Sequence, residues 1–216
     1  MNKENKPNIL LIGAGGTGGY LAPMLATITN TLIIADGDRY ENKNRARQAF
    51  AKSRTNKAKV FEQLLDKYNV VAHPQMVNGS ENFGQVDIII SCVDNNKARR
   101  AVRGLADSHV CPAIICGNED WDPMAFLYQP IRASDERINP YEKWGLENLQ
   151  EAVVQCDGEI VEEVEQTSIA NFAAGGLAMT ILHSMMTFQN PDLWVAEAMC
   201  CPYPKYKRIT DLINAD

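Results

Sequence analysis

The sequence predicts an α/β protein: a Rossmann-like, doubly wound, mostly parallel sheet with helices on both faces and a C-terminal extension. Three observations predict it. A short apolar run, Ile9–Ile12, leads into a glycine turn in which Gly13, Gly15 and Gly18 satisfy G-x-G-x-x-G. A helix-length segment and a second apolar strand follow, ending at Asp36, 23 residues after Gly13. Strand and helix patterns then keep alternating through the first half of the chain.

Ile9–Ile12 suits a buried parallel strand. In the turn, the first glycine permits the tight bend, and the second lets backbone N–H groups approach a phosphate. The third lets the next helix pack close to the strand. That helix, about Thr17 to Ile28, directs its positive N-terminal end at the phosphate. Thr31–Ala35 is the second strand, and Asp36 lies near the spacing at which an acid meets a ribose hydroxyl. The plain alternative is a glycine turn that only eases helix–strand packing. The strand before it, the helix after it and the acid favour nucleotide binding.

Between Glu41 and Glu62 stand seven basic residues, Lys43, Arg45, Arg47, Lys52, Arg54, Lys57 and Lys59, and no acid. That is a third of the 21 lysines and arginines in a chain of net charge −6. A solvated loop would have this composition too, but its place beside the glycine turn points to a positive wall facing a triphosphate. Lys57–Lys67 reads as an amphipathic helix with Val60, Leu64 and Leu65 inward. Further strands are expected at His73–Val77, Asp87–Cys92, Ala113–Gly117 and, antiparallel, Ala125–Gln129, with a helix from Asn95 to His109. Pro130 to about Gln166 is acidic and poorly periodic. Thr167 to about Phe188 is a long helix with Thr167 as its cap. Ile169, Phe172, Ala173, Gly176, Leu177, Thr180, Ile181 and Met185 recur along it at helical spacing. The tail from Trp194 is expected to add a strand.

After Asp36 the chain continues Asp36-Gly37-Asp38, then Asn44, Arg47-Gln48 and Lys57, with Cys92-Val93-Asp94-Asn95 and Arg99 downstream. This order resembles the ThiF/MoeB family of ubiquitin-activating-like adenylyltransferases: D-x-D, five residues, N-x-x-R-Q, a lysine, and later C-x-D-N-x-x-x-R. The match covers Ile9 to about Gly117. The resemblance implies one domain over 1–216, with an ATP-binding half at 1–117, a crossover segment at 118–166 and a C-terminal helix and tail at 167–216. It also implies a reaction: the C-terminal carboxylate of a small ubiquitin-like protein ending in glycine attacks the α-phosphorus of ATP, giving an acyl-adenylate and pyrophosphate. The nucleophile is already an anion, so catalysis is positioning plus charge neutralisation.

On this resemblance Asp36 takes the ribose hydroxyls, and the backbone of Gly13, Gly15, Gly16 and Gly18 faces the phosphates. Arg47 suits the β/γ oxygens, and Lys57 is a point charge. Asp38, Asn44, Gln48 and Asn95 are polar neighbours. Asp94 is the magnesium ligand, and Arg99 orients it. Alone, each has a bland reading: Asp38 a turn residue, Asn44 a cap, Gln48 surface, Asp94-Asn95 a helix cap. Cys156, in the crossover segment, is a further candidate thiol. Relatives often supply an arginine from an N-terminal helix, whereas residues 1–8 here hold only Lys3 and Lys6. Gln166 to Asn171 is similar to the Q-D-x-x-x-N of ThiF-like members associated with bacterial PRTRC plasmid and mobile-element systems. A non-catalytic ATP-binding module of such a system is the alternative function. A nicotinamide-dependent oxidoreductase shares only Gly13–Asp36 and leaves Arg47, Gln48, Lys57 and Asp94 unexplained.

The 216 residues suffice for one ample domain. The acidic balance does not suggest nucleic-acid binding. Met1 to Pro7 lacks the apolar core of a signal peptide, and no apolar run is expected to span a membrane. A cytoplasmic protein is therefore expected. The six cysteines form no C-x-x-C pair, so the structural zinc carried by many relatives is not expected. The small-residue helix after Thr167 suggests a homodimer.

Overall fold

Along the central strand, residues alternate between two packed layers, and both faces of the sheet are covered. The computed structural model describes residues 6–42, 44, 48–52, 54–119, 122–132, 134, 139–143, 167–190, 194–195 and 197–199. Its elements are β1 (Asn8–Ile12), α1 (Gly16–Ile28), β2 (Thr31–Ala35), α2 (Lys57–Leu64), β3 (Val70–His73), β4 (Ile88–Ser91) and α3 (Asn96–His109). β5 (Ala113–Glu119), β6 (Asp122–Tyr128), α4 (Pro140–Lys143), α5 (Ser168–Thr187) and β7 (Glu197–Met199) complete them.

The strands form one seven-stranded sheet in the order β3-β2-β1-β4-β5-β6-β7. Neighbours from β3 to β5 are parallel, and β6 and β7 pair antiparallel. This is the expected doubly wound, mostly parallel sheet. Ile9, Leu11, Ile34, Ile90 and Ile114 point to the layer of α1, α2 and α5. Leu10, Ile12, Ile89 and Ile115 point to the layer of α3 and α4.

Some expected boundaries move. The third strand is Val70–His73, earlier than His73–Val77, because Val70 to His73 continue the ladder from β2. That leaves residues 74–77 as a loop at the sheet's edge. In α2, Val60 is buried as expected, but Leu64 is 54% exposed; Ala58 and Phe61 fill the inner face instead. In α5 the buried face is Ala170, Ala174, Gly175, Ala178, Ile181 and Leu182, while Ile169 and Phe172 point outward. The periodicity could not distinguish the two faces because both are apolar. Thr167 caps α5 as expected, accepting from the Ala170 N–H. By length and composition α5 could cross a membrane, with 20 residues and mean hydropathy of 1.3, contrary to the sequence expectation. Here it packs on β5, β6 and α1.

On the opposite face, buried Tyr141 anchors α4, its hydroxyl donating to the Arg99 carbonyl at 2.6 Å. The Arg103 guanidinium lies 5.6 Å from the Tyr128 ring and 5.4 Å from the Tyr141 ring. This cluster ties α3, whose N-terminus enters the site described below, to β6 and α4.

Val110 ends α3 in the left-handed region, with φ of 50°, and is 68% exposed. A β-branched residue is strained there, and glycine is the usual occupant. Val110→Gly should raise stability by about 1 kcal/mol, the released strain exceeding the added chain entropy. Urea denaturation measures it, and a lower midpoint would contradict the strain argument.

Candidate functional site

Strand order reverses between β1 and β4, so the chain leaves these neighbouring strands in opposite directions and opens a crevice at their C-terminal ends. A cleft of about 630 Å³ lies there. Its floor is the glycine turn after β1 and the residues after β4. One wall comes from the segment after β2 and the start of α2, and another from residues 75–77.

The turn is built without slack. Gly13 has φ of +89°, and a Cβ on it would lie 2.7 Å from the Cys92 carbonyl oxygen. A Cβ on Gly18 would overlap the Gly13 carbonyl. Gly18 thus serves helix–strand contact, as its place in the motif implies, and is not among the residues lining the cleft. Gly13, Gly15 and Gly16 do line it. Gly15 is the N-cap of α1 and supplies no side-chain cap, which leaves first-turn N–H groups available at the cleft.

Asp36 follows β2 directly. One carboxylate oxygen accepts the Ala14 N–H at 2.7 Å, and the other accepts the Asp38 N–H at 2.8 Å. The carboxylate therefore holds the glycine turn and the start of the next loop together. Burial pushes the Asp36 pKa up, against the lowering effects of Lys57 and the two backbone N–H bonds.

Lys57 is the first residue of α2 and is 8% exposed, its ammonium 3.0 Å from Asp38 Oδ2. Asn56 aims it. The Asn56 side chain caps α2 by accepting from Lys59 N–H, and it donates to the Asp36 and Asp38 carbonyls. Asn44 Oδ1 accepts the Glu41 N–H, closing the loop turn, while Asn44 itself lines the cleft. Gln48 is buried rather than on the surface, and among the described residues its Oε1 has no hydrogen-bond partner. An orphaned acceptor in a polar cleft suits a ligand donor or bridging water.

Asp94 and Asn95 divide two jobs. Asn95 caps α3, its Oδ1 accepting the Ala98 N–H at 2.8 Å. Asp94 is exposed and lines the cleft, with a contact of 3.4 Å from Asn95 Nδ2. Arg99 departs from its expected role: Nη1 donates to Asn96 Oδ1, and Arg99 is not among the residues lining the cleft. Its guanidinium is engaged along its own helix rather than by Asp94.

Among the described residues of the basic stretch, Lys57 alone lines the cleft; Lys52, Arg54 and Lys59 do not. Lys43, Arg45, Arg47 and Cys156 lie outside the described residues. Arg39 lines the cleft as well, its guanidinium donating to the Arg54 carbonyl.

Several residues of the cleft were not read as site residues in the sequence, and Asn171 was named there only as the end of the Gln166–Asn171 motif. Asn171, 1% exposed on the first turn of α5, packs over Gly16 and accepts from the Thr17 hydroxyl at 3.2 Å. Its pairing with Thr17 spans 154 positions, which no local pattern reports. Met76 and Val77 supply an apolar wall. Asn56 was findable, as an asparagine just before a predicted helix start. Among the described residues, no three His, Cys, Asp or Glu side chains gather as a metal cage.

The fold and cleft define a doubly wound α/β domain with a glycine-turn cleft at its switch point. The chain belongs to the ThiF family, whose pattern matches residues 1–191. It is 34% identical over 121 residues to SUMO-activating enzyme subunit 2 of Dictyostelium discoideum, covering 50% of this chain but only 18% of that protein. Among solved structures it resembles PaaA, with a TM-score of 0.64 and 18% identity over 92% of this chain and 70% of that one. E. coli MccB with succinimide matches at 0.61 and 18%, covering 91% and 61%. TcdA (CsdL) matches at 0.61 and 17%, covering 84% and 86%. At these identities the structural likeness is one of fold.

The division of labour at the start of α3 is testable. Asn95→Ala should cost about 0.5–2 kcal/mol as a lost cap. Asp94→Ala should stay within about 0.5 kcal/mol of the parent, as an exposed residue that caps nothing. Equilibrium denaturation of the two variants decides it; equal losses would return Asp94 to a structural role.

Proposed function

We propose that the cleft binds ATP with magnesium, and that the protein adenylates the C-terminal carboxylate of a small ubiquitin-like protein ending in glycine. One observation carries this reading: the glycine turn, the start of α1, Asp36, Lys57 and Asp94 converge on a single cleft at the switch point. The name of the Dictyostelium relative, an activator of SUMO, supports a small protein as the acyl donor.

The roles follow from chemistry. Asp36 accepts from ribose hydroxyls through its remaining lone pairs, while its backbone bonds keep the turn in place. First-turn N–H groups of α1 and the Lys57 ammonium face the phosphates. Met76 and Val77 offer an apolar surface to a base. Asp94, a single exposed carboxylate, suits a magnesium ion whose other ligands are phosphate oxygens and water. Held by Asp94, such an ion would supply charge neutralisation at the phosphates. The incoming carboxylate oxygen forms a bond to the α-phosphorus as the bond to pyrophosphate breaks. No general base is required, because the carboxylate is ionised at neutral pH.

Arg47 on the β/γ oxygens, Cys156 as an acyl acceptor, Arg45 or Arg54 in place of an N-terminal arginine, a cytoplasmic setting and a homodimeric state belong to the same proposal. So do the expected division of the chain at 117 and 166 and the subgroup likeness of Gln166–Asn171. That likeness makes co-purification from the native host the direct route to the partner.

Calorimetry should give tighter binding of Mg-ATP than of NAD; the reverse order would reject the reading. Asp94→Asn is the sharper test, because it removes the charge without removing a cap. With the partner present, ATP–pyrophosphate exchange should fall by roughly two orders of magnitude or more, at unchanged melting temperature. Wild-type exchange in Asp94→Asn would remove Asp94 from the machinery. ATP binding without any exchange would favour a non-catalytic nucleotide-binding module.

A further inference from the structure

Cys92 and Cys116 are both free thiols, and both line the floor of the cleft. Cys92 directly follows β4, and Cys116 lies on its parallel neighbour β5. Ile89 pairs with Ala113, Ile90 with Ile114 and Ser91 with Ile115. One further step of that register sets Cys92 beside Cys116. Side chains alternate along a strand, and Ile88, Ile90, Ile114 and Cys116 all belong to the layer of α1 and α5, with Cys92 packed against it. The two sulfurs therefore share a face, and the neighbouring Cys116 thiol together with burial pushes the Cys92 thiol's pKa up. Adjacent strands lie about 4.8 Å apart, inside the Cα range of roughly 4.4–6.8 Å that a disulfide tolerates.

We propose that Cys92 and Cys116 form a reversible disulfide that acts as a redox switch on the cleft. The nucleotide part of this inference rests on the reading above. With a small disulfide as oxidant, a thiolate from the pair attacks one of its sulfurs and releases a first small thiol. The second cysteine then attacks the mixed disulfide and releases another. Two cysteine thiols become one disulfide, the oxidant is reduced to two thiols, and the two protons leave with them.

Coupling to the cleft follows from close packing. A bridge holds its Cβ atoms about 3.8 Å apart, closer than neighbouring parallel strands normally set them. Cys92 has little room to shift. Its carbonyl oxygen lies against Gly13, its Cβ is 3.5 Å from where a Cβ on Gly18 would sit, and its N–H donates to the Ile12 carbonyl at 2.8 Å. Drawing Cys92 toward β5 therefore pulls on the glycine turn. The same mismatch makes the bridge easy to reduce, as labile regulatory disulfides are.

The test uses the full chain and oxidised glutathione. After oxidation and alkylation, peptide mapping should find Cys92 joined to Cys116. Mg-ATP affinity should fall roughly tenfold or more and recover with dithiothreitol. Saturating Mg-ATP should slow formation of the bridge. In Cys116→Ala and in Cys92→Ala, each compared with its own reduced state, the oxidant-dependent loss should vanish. Mapping that finds the two residues unpaired, or paired elsewhere, overturns the inference. A mapped bridge with unchanged affinity overturns the switch. Failure of the reduced protein to bind Mg-ATP rejects the nucleotide reading, while the mapping still decides whether the dithiol pairs.

Discussion

Two hydrogen bonds to one carboxylate hold the site together. Asp36 follows β2, and its oxygens accept the Ala14 and Asp38 N–H groups. The glycine turn after β1 is thereby tied to the loop after β2. Asn56 ties the same loop to the start of α2, which brings Lys57 into the cleft. Without the Asp36 anchor, the N–H of Ala14 would lack this partner at a buried position, a cost of about 1–3 kcal/mol for one orphaned group. The turn's geometry, the placement of Lys57 and the cleft wall depend on that side chain.

The same economy appears at the other strand end. Gly13 meets the carbonyl of Cys92, and Gly18 meets that of Gly13, so β1, α1 and the residues after β4 form one close-packed knot. Close packing is what would transmit a small change at Cys92 into the cleft. It also explains why the switch point is a site: backbone rather than side chain lines its floor, and backbone N–H groups suit an anion.

Among the described residues, charge around the knot is balanced by a local pair. Lys57 pairs with Asp38 and lowers the cost of burying the Asp36 charge. The net charge of −6 says nothing of this arrangement. On the opposite face, Arg103 between the Tyr128 and Tyr141 rings fixes α3, and so indirectly the Asp94–Asn95 corner. The corner then separates two carbonyl-bearing side chains by function: an amide that caps a helix, and a carboxylate left facing the cleft.

The strands at Ile9–Ile12, Thr31–Ala35 and around Ile88–Ser91, the glycine turn, Asp36 and the cap at Thr167 were legible from the sequence alone. The strands, the turn and the cap are governed by interactions within a few residues: apolar runs, positive φ, a side chain reaching the next turn; Asp36 was legible by its spacing from the glycine turn. The family likeness lay in the spacing of Asp36, Asn44, Arg47, Lys57 and Asp94. Tertiary structure alone decided which face of α5 is inward, because Ile169 and Phe172 are as apolar as the alanines that pack on the sheet. It also decided that Asn171 reaches Thr17, that Gln48 is buried, and that Cys92 lies beside Cys116. These depend on which distant segments the parallel register and the α1–α5 contact bring together. A chain read locally carries the period of a strand or helix, but not the identity of the neighbour across it.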